Sequence, residues 1–355
     1  MFTFRDYILL PGRSEVEPKY IDLTTNLTKN IRLSVPLVSS PMDTVTGAEM
    51  ALAMAKVGGV GVIHRNQSVD DEVAEVRKVK NSRVEAKSTD SQGRPLVGAA
   101  ISPMDVRRCE ALDSVADFLV SDVAHFHNSN VIKAAAKIIP RLSKDFIAGN
   151  IGTNRAVHEI VAELPRVDGF RVGIGSGSVC ITSELTRVGA PTLFAVAEVA
   201  TALSDLNLDV PLIADGGIRS PGDGSLSLAA GASSLMLGAV FAGCEESPTK
   251  VVTVKGRKMK LHRGMASAAA RKVRFALDRY SVPSKGLEEG VEGYVPYTGS
   301  VAETTARFCD GLRASFGYSG ARSIRDLWGI AAFGLMSPQG SNELGVHSLS
   351  RKGEF

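Results

Sequence analysis

Cys180 is the residue in this sequence with the clearest capacity for covalent chemistry. It ends a glycine-rich stretch, GIGSGSVC, and Thr182 follows it two positions later. A lone cysteine in apolar surroundings is usually an inert part of a core, and we keep that interpretation for Cys109 and Cys309. A thiol in a loop of convergent backbone amides can instead be held as a thiolate and used as a nucleophile. The pattern therefore predicts Cys180 as a catalytic nucleophile.

Two further glycine-rich stretches, ADGGIRSPGD and LGAVFAG, follow apolar runs later in the chain. Glycine permits positive φ and close backbone approach, so the amides of such turns can converge on a phosphate. The pattern predicts Gly216, Gly217 and Gly238 as phosphate-binding residues. The alternative is that these glycines only make tight turns, but three such stretches together favour a phosphorylated ligand. Asp215 ends the run LIAD, and we expect ribose hydroxyls as partners of this carboxylate.

Eight short apolar runs predict the strands that must position these loops. Amphipathic stretches lie between them, for example from Ala48, Asp70 and Ser129, with apolar residues at three- and four-residue spacing. Strand and helix alternating eight times predicts an α/β fold of the (β/α)8 TIM-barrel class. The competing interpretation, a doubly wound sheet, is less favoured because no GxGxxG follows the first strand. The predicted strands are 36–40, 60–64, 96–101, 117–122, 146–150, 170–174, 211–217 and 234–238.

Two segments interrupt this alternation within a predicted single catalytic domain, residues 1–355. Residues 81–95 are a short polar link between the second and third βα units. Residues 244–298 follow the eighth strand, where an insertion overhangs the catalytic mouth of a barrel, so we predict an active-site lid there. The tail after Trp328 is polar, and we expect it to pack loosely or at a subunit boundary.

Composition excludes several classes of partner. The 41 basic and 38 acidic residues leave a formal charge of +3 without a basic block, so we expect neither a nucleic-acid nor a membrane partner. The four cysteines lack metal-ligand spacing. The first residues, MFTFRDYILLPGRSEV, do not have the pattern of a signal peptide, and no apolar run is long enough to span a membrane. We expect a cytoplasmic protein with reduced thiols.

Motifs spread over nearly the whole chain resemble the IMP dehydrogenase/GMP reductase family, and IMP dehydrogenases in particular. They include SSPMDTVT, GGVGVIHRN, DVAH, GIGSGSVCIT, IADGGIRSPGD, HRGMAS and EEGVEGYVPY. The resemblance implies that the Cys180 thiolate adds to C2 of the hypoxanthine ring of IMP. Hydride from C2 then passes to NAD, and water hydrolyses the covalent thioimidate to XMP.

The resemblance also implies a role for an arginine–tyrosine pair, Arg279 and Tyr280, in the predicted lid. IMP dehydrogenases use such a pair to activate the hydrolytic water, whereas GMP reductases, which release ammonia and use NADPH, lack it. A guanidinium group holds its proton tightly. Arg279 therefore either acts as the base itself or orients water while Thr182 and Glu289 relay the proton.

Other site residues follow from the resemblance position by position. Asp215 is expected on the ribose and Glu289 at the purine edge. Asp122 and Asn150 match residues on the nicotinamide side. The backbone carbonyls of Gly173, Gly175 and Cys180 match a potassium site. The residues expected around the nucleotide are Ser40, Met42, Ser178, Asp215, Gly217, Gly238, Gly264, Met265 and Glu289.

Several positions depart from the family pattern. Ala239 stands where most relatives have serine, His262 where the lid usually offers a tyrosine to the phosphate, and Phe126 where a glycine is usual. We therefore expect altered phosphate binding and a reshaped dinucleotide pocket. Ser183 and the tail NELGVHSLS also depart from the pattern of the potassium site. A regulatory CBS pair, common in IMP dehydrogenases, is replaced by the link at 81–95.

Three functional hypotheses remain at this point. The first is IMP oxidation with NAD, favoured by Arg279 and Tyr280. The second is GMP reductase, NADPH-dependent deamination of GMP to IMP, favoured by chain length and the missing insert. The third is a nucleotide-binding protein without turnover, which the departures at Ala239, Phe126 and His262 leave open. The family's square homotetramers lead us to expect the same assembly here.

Overall fold

A closed barrel of eight parallel strands forms the centre of the molecule, which the computed structural model describes over residues 1–273 and 288–345. Each strand coincides with one of the eight apolar runs, so the prediction of a TIM barrel is confirmed. The strands are β1 (Leu37–Ser39), β2 (Val60–Ile63), β3 (Val97–Ile101), β4 (Phe118–Ser121), β5 (Asp145–Ile151), β6 (Gly169–Val172), β7 (Leu212–Asp215) and β8 (Ser234–Leu237).

One principal helix follows each barrel strand and covers its outer face. Several begin with a side-chain oxygen that accepts a backbone N–H: Ser68 before the second helix, Asn128 before the fourth and Ser220, in a capping box, before the seventh. The helices are α1 (Ala48–Val57), α2 (Val69–Lys80), α3 (Val106–Asp113), α4 (Ser129–Ile138), α5 (Asn154–Glu163), α6 (Thr192–Asp205), α7 (Pro221–Ala229) and α8 (Val301–Ser319).

The barrel strands are apolar because both of their faces are covered. Their outer face packs against the helices in one large cluster, and their inner face fills the barrel lumen. A hairpin of Thr25–Asn26 and Arg32–Leu33 precedes β1. Leu33 in this hairpin and Leu27 next to it belong to the lumen cluster. The other buried lumen residues are Val38, Val60, Val62, Leu96, Ala100, Phe118, Val120, Ile147, Ile213 and Met236.

The chain also forms shorter elements outside the barrel strands and the eight principal helices. Tyr7–Leu9 pairs antiparallel with Phe333–Leu335, so this part of the tail after Trp328 is tied to the N-terminal segment. A three-stranded antiparallel sheet combines Val251–Val254, Arg257–Arg263 and Glu292–Pro296. The remaining short helices are Pro18–Tyr20, Ile139–Arg141, Thr182–Thr186, Ala239–Ala242, Ala268–Lys272, Ile324–Ile330 and Pro338–Glu343.

The link predicted at 81–95 is held by buried charges. Lys80, at the end of α2, donates to the carboxylates of Asp90 (2.9 Å) and Asp117 (2.7 Å) and to the Pro95 carbonyl (3.1 Å). Burial raises the pKa of Asp117, and the Lys80 ammonium opposes that rise. The link is thus fastened to the barrel rather than extended from it.

The segment predicted as a lid, 244–298, contains the three-stranded sheet and the helix Ala268–Lys272. Residues 274–287, including Arg279 and Tyr280, lie outside the described residues, and lid movement stays a prediction. Lys260 fastens the sheet to the barrel, because its buried ammonium donates to the carbonyls of Cys244 (2.7 Å), Glu245 (3.0 Å) and Ser247 (3.0 Å). In the described part of the chain, no helix is long and apolar enough to cross a membrane.

Substitution of Gly98, on β3, tests the packing of the barrel lumen. A Cβ atom at this position would lie 2.4 Å from the Phe118 ring, which is fully buried. We expect Gly98→Ala to lower the free energy of unfolding by about 1–3 kcal/mol, measured by urea denaturation. Gly329→Ala is the control, because nothing lies within 4 Å of its added carbon. Equal effects of the two substitutions would contradict this account of the lumen.

Candidate functional site

A cavity of about 540 Å³ opens at the carboxyl ends of the barrel strands. Every site residue predicted from the sequence that falls within the described residues lines it, although their chemical roles stay predictions. They are Ser40, Met42, Asp122, Asn150, Gly173, Gly175, Ser178, Cys180, Thr182, Asp215, Gly216, Gly217, Gly238, Gly264, Met265 and Glu289.

A chain of hydrogen bonds joins the thiol of Cys180 to a buried carboxylate. The Cys180 thiol donates to Thr182 Oγ1 (3.2 Å), and the Thr182 hydroxyl donates to Glu289 Oε2 (2.8 Å). Glu289 is 1% exposed. The arrangement gives the thiol proton a path to a carboxylate through one hydroxyl, which suits both thiolate formation and proton relay.

The loop that carries Cys180 is fastened to the segment that carries Glu289. The Ile181 N–H donates to the Glu289 carbonyl (3.0 Å), and the Val291 N–H donates to the Val179 carbonyl (2.9 Å). Cys180 and Gly290 form an antiparallel bridge. Because these backbone contacts flank the hydrogen-bonded side chains, the thiol, hydroxyl and carboxylate are positioned as one unit.

Cys180 differs from the other three cysteines in exposure. Cys109, Cys244 and Cys309 are buried, whereas Cys180 is partly exposed in the cavity. Burial raises the pKa of Cys109 to about 12 and that of Cys309 to about 11, and it also raises the pKa of Cys244. The interpretation of Cys109 and Cys309 as core residues is confirmed.

A buried ion network forms the floor of the cavity. Arg171, on β6, donates to Asp215 Oδ2 (2.8 Å) at the end of β7 and to Asp122 Oδ1 (3.2 Å) after β4. Asn150 on β5 also donates to Asp215 Oδ2 (2.9 Å), and Arg65 beyond β2 donates to the Asp122 carbonyl (2.8 Å). The two carboxylates raise the pKa of Arg171 despite its burial.

Sequence reasoning did not identify Arg171 or Arg65 as site residues. Arg171 lies in the run FRVGI, a pattern that by itself predicts only a buried strand. The signal that could have found it is the arginine itself, since a charged residue within a barrel strand needs a buried partner. Its two partners lie 44 and 49 positions away in the sequence.

The three glycine-rich loops converge as predicted. Gly175, Gly216 and Gly217 have φ of 76°, 96° and 72°, values that disfavour other residues. A Cβ at Gly216 would lie 3.2 Å from the Gly177 nitrogen, and one at Gly238 would lie 3.2 Å from Met42 Sδ. Bare backbone therefore lines this side of the cavity, as close contact with a phosphate requires.

Not all of the residues that depart from the family pattern lie where we expected them. Phe126 is fully buried, its ring packs against Phe146 (centroids 6.0 Å apart), and it is not among the residues that line the cavity. The expectation that Phe126 itself reshapes a pocket is therefore not supported by this geometry. His125 lines the cavity instead, and His262 and Ala239 line it beside Gly238.

Comparisons with known proteins agree with this geometry. A family model described as IMP dehydrogenase / GMP reductase domain matches residues 1–347. The inosine-5'-monophosphate dehydrogenase of Korarchaeum cryptofilum is 38% identical, covering 98% of this chain and 96% of that protein. The proteins of the same name from Cryptosporidium parvum (37% identical, 98% and 95% covered) and Thermoplasma acidophilum (34% identical, 98% and 94% covered) are similar as well.

The lengths of these alignments differ. Those with the K. cryptofilum and T. acidophilum proteins extend over 461 and 462 positions, so these relatives carry residues that the present 355 lack. The alignment with the C. parvum protein extends over only 384 positions. An inosine-5'-monophosphate dehydrogenase can therefore be almost as short as this chain.

Thiol labelling tests the assignment of Cys180. We expect iodoacetamide at pH 7 to modify Cys180 in the native protein before the three buried cysteines, as peptide mass spectrometry would show. Thr182→Val removes the hydroxyl that accepts the thiol proton and would donate to the thiolate, so we expect labelling to slow by about three- to tenfold. Thr182→Ser keeps the hydroxyl and serves as the control. Equal rates of Cys180 labelling in Thr182→Val and Thr182→Ser would refute a role of the Thr182 hydroxyl in activating the thiol.

Proposed function

The chain belongs to the IMP dehydrogenase/GMP reductase family, and we propose that it is an IMP dehydrogenase that oxidises IMP to XMP with NAD. The observation that carries this proposal is the hydrogen-bonded chain from Cys180 through Thr182 to Glu289, within a cavity lined by glycine loops. The names of the relatives support IMP as the substrate. This reaction serves guanine nucleotide synthesis.

The nucleotide is held mainly by backbone. Amides of the loops at Gly216, Gly217 and Gly238 bind the phosphate, and Asp215 accepts from the ribose hydroxyls. Support comes from Asp215 Oδ2, which already accepts from Asn150 and Arg171 and is thereby fixed in orientation. Oδ1 has no hydrogen-bond partner among the described residues and is available to a ligand. Ser40, Met42, Ser178, Gly264 and Met265 complete the walls around the base and sugar.

The covalent step follows from the position of the thiol. The Cys180 sulfur forms a bond to C2 of the purine, and its proton moves through the Thr182 hydroxyl to Glu289. The C2 hydrogen then leaves with its electron pair as hydride, so the purine is oxidised by two electrons and stays bound to sulfur as a thioimidate. Positioning supplies most of this catalysis, because the three side chains are already in contact.

Hydrolysis completes the proposed reaction. Water adds to C2, the C–S bond breaks, and the thiol is restored as XMP leaves. We assign activation of the water to Arg279 and Tyr280, which lie outside the described residues, with Thr182 and Glu289 as the proton relay. The short contact between Thr182 and Glu289 supports the relay.

The nicotinamide side of the cavity is assigned to two members of the ion network and a neighbouring histidine. NAD supplies the hydride acceptor when it is bound. Asp122 and Asn150 line this side together with His125, and the burial of Phe126 leaves the space open. Arg65 and Arg171 hold the Asp122 carboxylate in place, so a ribose or carboxamide would meet a fixed polar edge.

Binding of potassium by the carbonyls of Gly173, Gly175 and Cys180 stays a prediction. The Gly173 carbonyl, one of its three expected ligands, already accepts from Asn150 Nδ2 (2.8 Å). Within residues 1–273 and 288–345, no cluster of three His, Cys, Asp or Glu side chains forms an alternative metal site. We therefore derive no step from a cation.

We also propose that the enzyme is a cytoplasmic homotetramer. Exposed apolar side chains gather on and near the sheet of Tyr7–Leu9 and Phe333–Leu335, which is unusual for a surface that meets only water. They are Ile8, Leu10, Trp328, Ile330 and Leu335. A second copy of the chain is the partner that this family leads us to propose for that surface.

GMP reductase is the second candidate. Chain length favoured it, but the short C. parvum relative removes most of that argument. Absorbance of the reduced nicotinamide discriminates the reactions. We expect it to rise when the purified protein meets IMP and NAD, and to stay constant with GMP and NADPH. A fall with the second pair alone would establish the reductase, and no change with either would favour a binding protein without turnover.

A further inference from the structure

Asp43 lies at the centre of a polar cluster beside the cavity. Its carboxylate accepts two hydrogen bonds from Arg263, through Nη2 (2.7 Å) and Nε (3.1 Å), and one from Asn66 Nδ2 (2.8 Å). The same amide of Asn66 donates to the Ala270 carbonyl (3.2 Å). The Asp43 and Arg263 side chains are 8% and 21% exposed, so the ion pair is largely shielded from water. We call Asp43, Asn66 and Arg263 the Asp43 cluster.

The Asp43 cluster joins segments that are remote in sequence. Asp43 follows β1, Asn66 follows β2, and Arg263 ends the strand Arg257–Arg263. Asp43 and Arg263 are 220 positions apart. None of the three is among the residues that line the cavity in the described part of the chain. The cluster therefore influences a ligand only through the residues next to it.

The residues next to the ion pair do line the cavity. Met42 precedes Asp43, and Gly264 and Met265 follow Arg263. We assigned these three residues to the walls around the base and sugar. The ion pair of Asp43 with Arg263 thus connects two walls of the proposed purine site from outside the cavity.

Gly264 belongs to one unit with the loop of the nucleophile. Its N–H donates to the Val291 carbonyl (2.9 Å), and the Val291 N–H donates to the Val179 carbonyl next to Cys180 (2.9 Å). A Cβ at Gly264 would lie 2.8 Å from the Val179 carbonyl oxygen, so the two backbones are in direct contact. The wall that follows Arg263 is therefore already fixed relative to Cys180.

The wall that contains Met42 is held internally by its own hydrogen bonds. The Thr46 hydroxyl donates to the Ser40 carbonyl (2.7 Å), and the Thr46 N–H donates to the Met42 carbonyl (3.0 Å). These contacts fix the shape of the loop after β1 but not its distance from the Cys180 unit. That distance depends on the contacts between the two walls.

The ion pair is the strongest of the contacts between the walls. Thr44 adds a hydrogen bond from the Arg263 N–H to its Oγ1 (3.3 Å), and the same Oγ1 lies 3.3 Å from His262 Nδ1. Both contacts are longer than the bond from Arg263 Nη2 to Asp43 (2.7 Å). A bidentate pair of arginine and carboxylate is also stronger and more directional than neutral hydrogen bonds. We therefore assign the spacing of the walls mainly to Asp43 and Arg263.

We propose that Asp43 is a positioning residue for the oxidation step: by binding Arg263 it sets the place of Met42 relative to the Cys180 unit, and so the orientation of the purine towards the sulfur. The inference rests on the proposed function, since it requires a purine nucleotide in the cavity. Attack on C2 needs the reacting atoms about 3–3.5 Å apart and aligned. The loop after β1 bears on this alignment without contacting the thiol, the hydroxyl of Thr182 or Glu289.

The first turnover tests the proposal, because reduced cofactor forms before hydrolysis. Stopped-flow absorbance at saturating IMP and NAD measures its rate. Arg263→Gln removes the ion pair, so we expect this rate to fall about 10- to 100-fold, since misplacement by about 1 Å costs up to roughly 100-fold. Asp43→Asn should have a similar effect. The double variant should be no slower than the slower single variant, because the two side chains act through one contact.

Three comparisons separate positioning from a general loss of structure. Arg94→Gln removes another arginine–aspartate pair, with Asp90 (2.8 Å), among residues that do not line the cavity, and should leave the rate unchanged. Iodoacetamide labelling of Cys180 without nucleotide should be unchanged in Arg263→Gln. Calorimetric titration should show IMP affinity nearly unchanged, because the phosphate and ribose are assigned to residues outside the cluster.

An unchanged first turnover in Arg263→Gln would overturn the proposal. Equal losses of rate, IMP affinity and labelling would overturn it as well, since they indicate a disorganised site. Should neither ion-pair variant fold, Asn66→Ala decides, because it keeps the ion pair but removes its link to the Ala270 carbonyl. A first turnover slowed about three- to tenfold supports the proposal, and an unchanged one overturns it.

A second measurement needs no turnover. Methyl ¹³C spectra of methionine-labelled protein, assigned through Met42→Leu, should show a shifted Met42 signal in Arg263→Gln and an unshifted signal for Met54 in the core. An unshifted Met42 signal would overturn the proposal. A wild-type protein that forms no reduced cofactor from IMP and NAD would instead remove the proposed function, and this inference with it.

Discussion

The ion network centred on Arg171 is the interaction on which the site depends. Its guanidinium lies between the carboxylates of Asp215 and Asp122 and is almost completely buried. Burying these charges costs several kcal/mol per ion unless each is paired, and loss of one partner leaves the others uncompensated. The network therefore fixes the ends of β4, β6 and β7 relative to one another. It also fixes the two carboxylates at the floor of the cavity.

The nucleophile is positioned by a separate set of contacts above this floor. Backbone bonds join the Cys180 loop to the segment at Glu289, and the Thr182 hydroxyl bridges the two side chains. The surrounding glycines leave open the side of the cavity to which we assign the phosphate, because they carry no side chains. Floor and Cys180 loop are thus held by separate contacts, and the part of the segment 244–298 around Glu289 is itself one of the supports of Cys180. We therefore expect catalysis to come mainly from the positions of these side chains, because the thiol can lose its proton without a large movement of any group.

The barrel and most of the site were predictable from sequence, because each strand is a short apolar run and the glycine loops follow at the strands' carboxyl ends. Residues such as Asp215 and Cys180 could be placed together by topology alone. The place of Arg171 in the site could not be predicted, because its partners are remote in sequence and an isolated arginine in a strand does not reveal them. The contact between Thr44 and His262 could not be predicted either, because the two residues are 218 positions apart in the sequence. Phe126 lies in a cavity-facing loop, but its side chain turns into the core, and sequence does not specify that direction.

The central claim is that Cys180 carries the purine covalently during turnover. Acid quenching of the enzyme with IMP and NAD, followed by peptide mass spectrometry, measures this directly. We predict a purine nucleotide on the Cys180 peptide that accumulates to a higher fraction in Arg279→Ala, where hydrolysis is slowed, than in the wild type or in the exposed-hairpin control Arg257→Ala. Formation of reduced cofactor without any adduct on Cys180, in the wild type and in Arg279→Ala alike, would contradict the account.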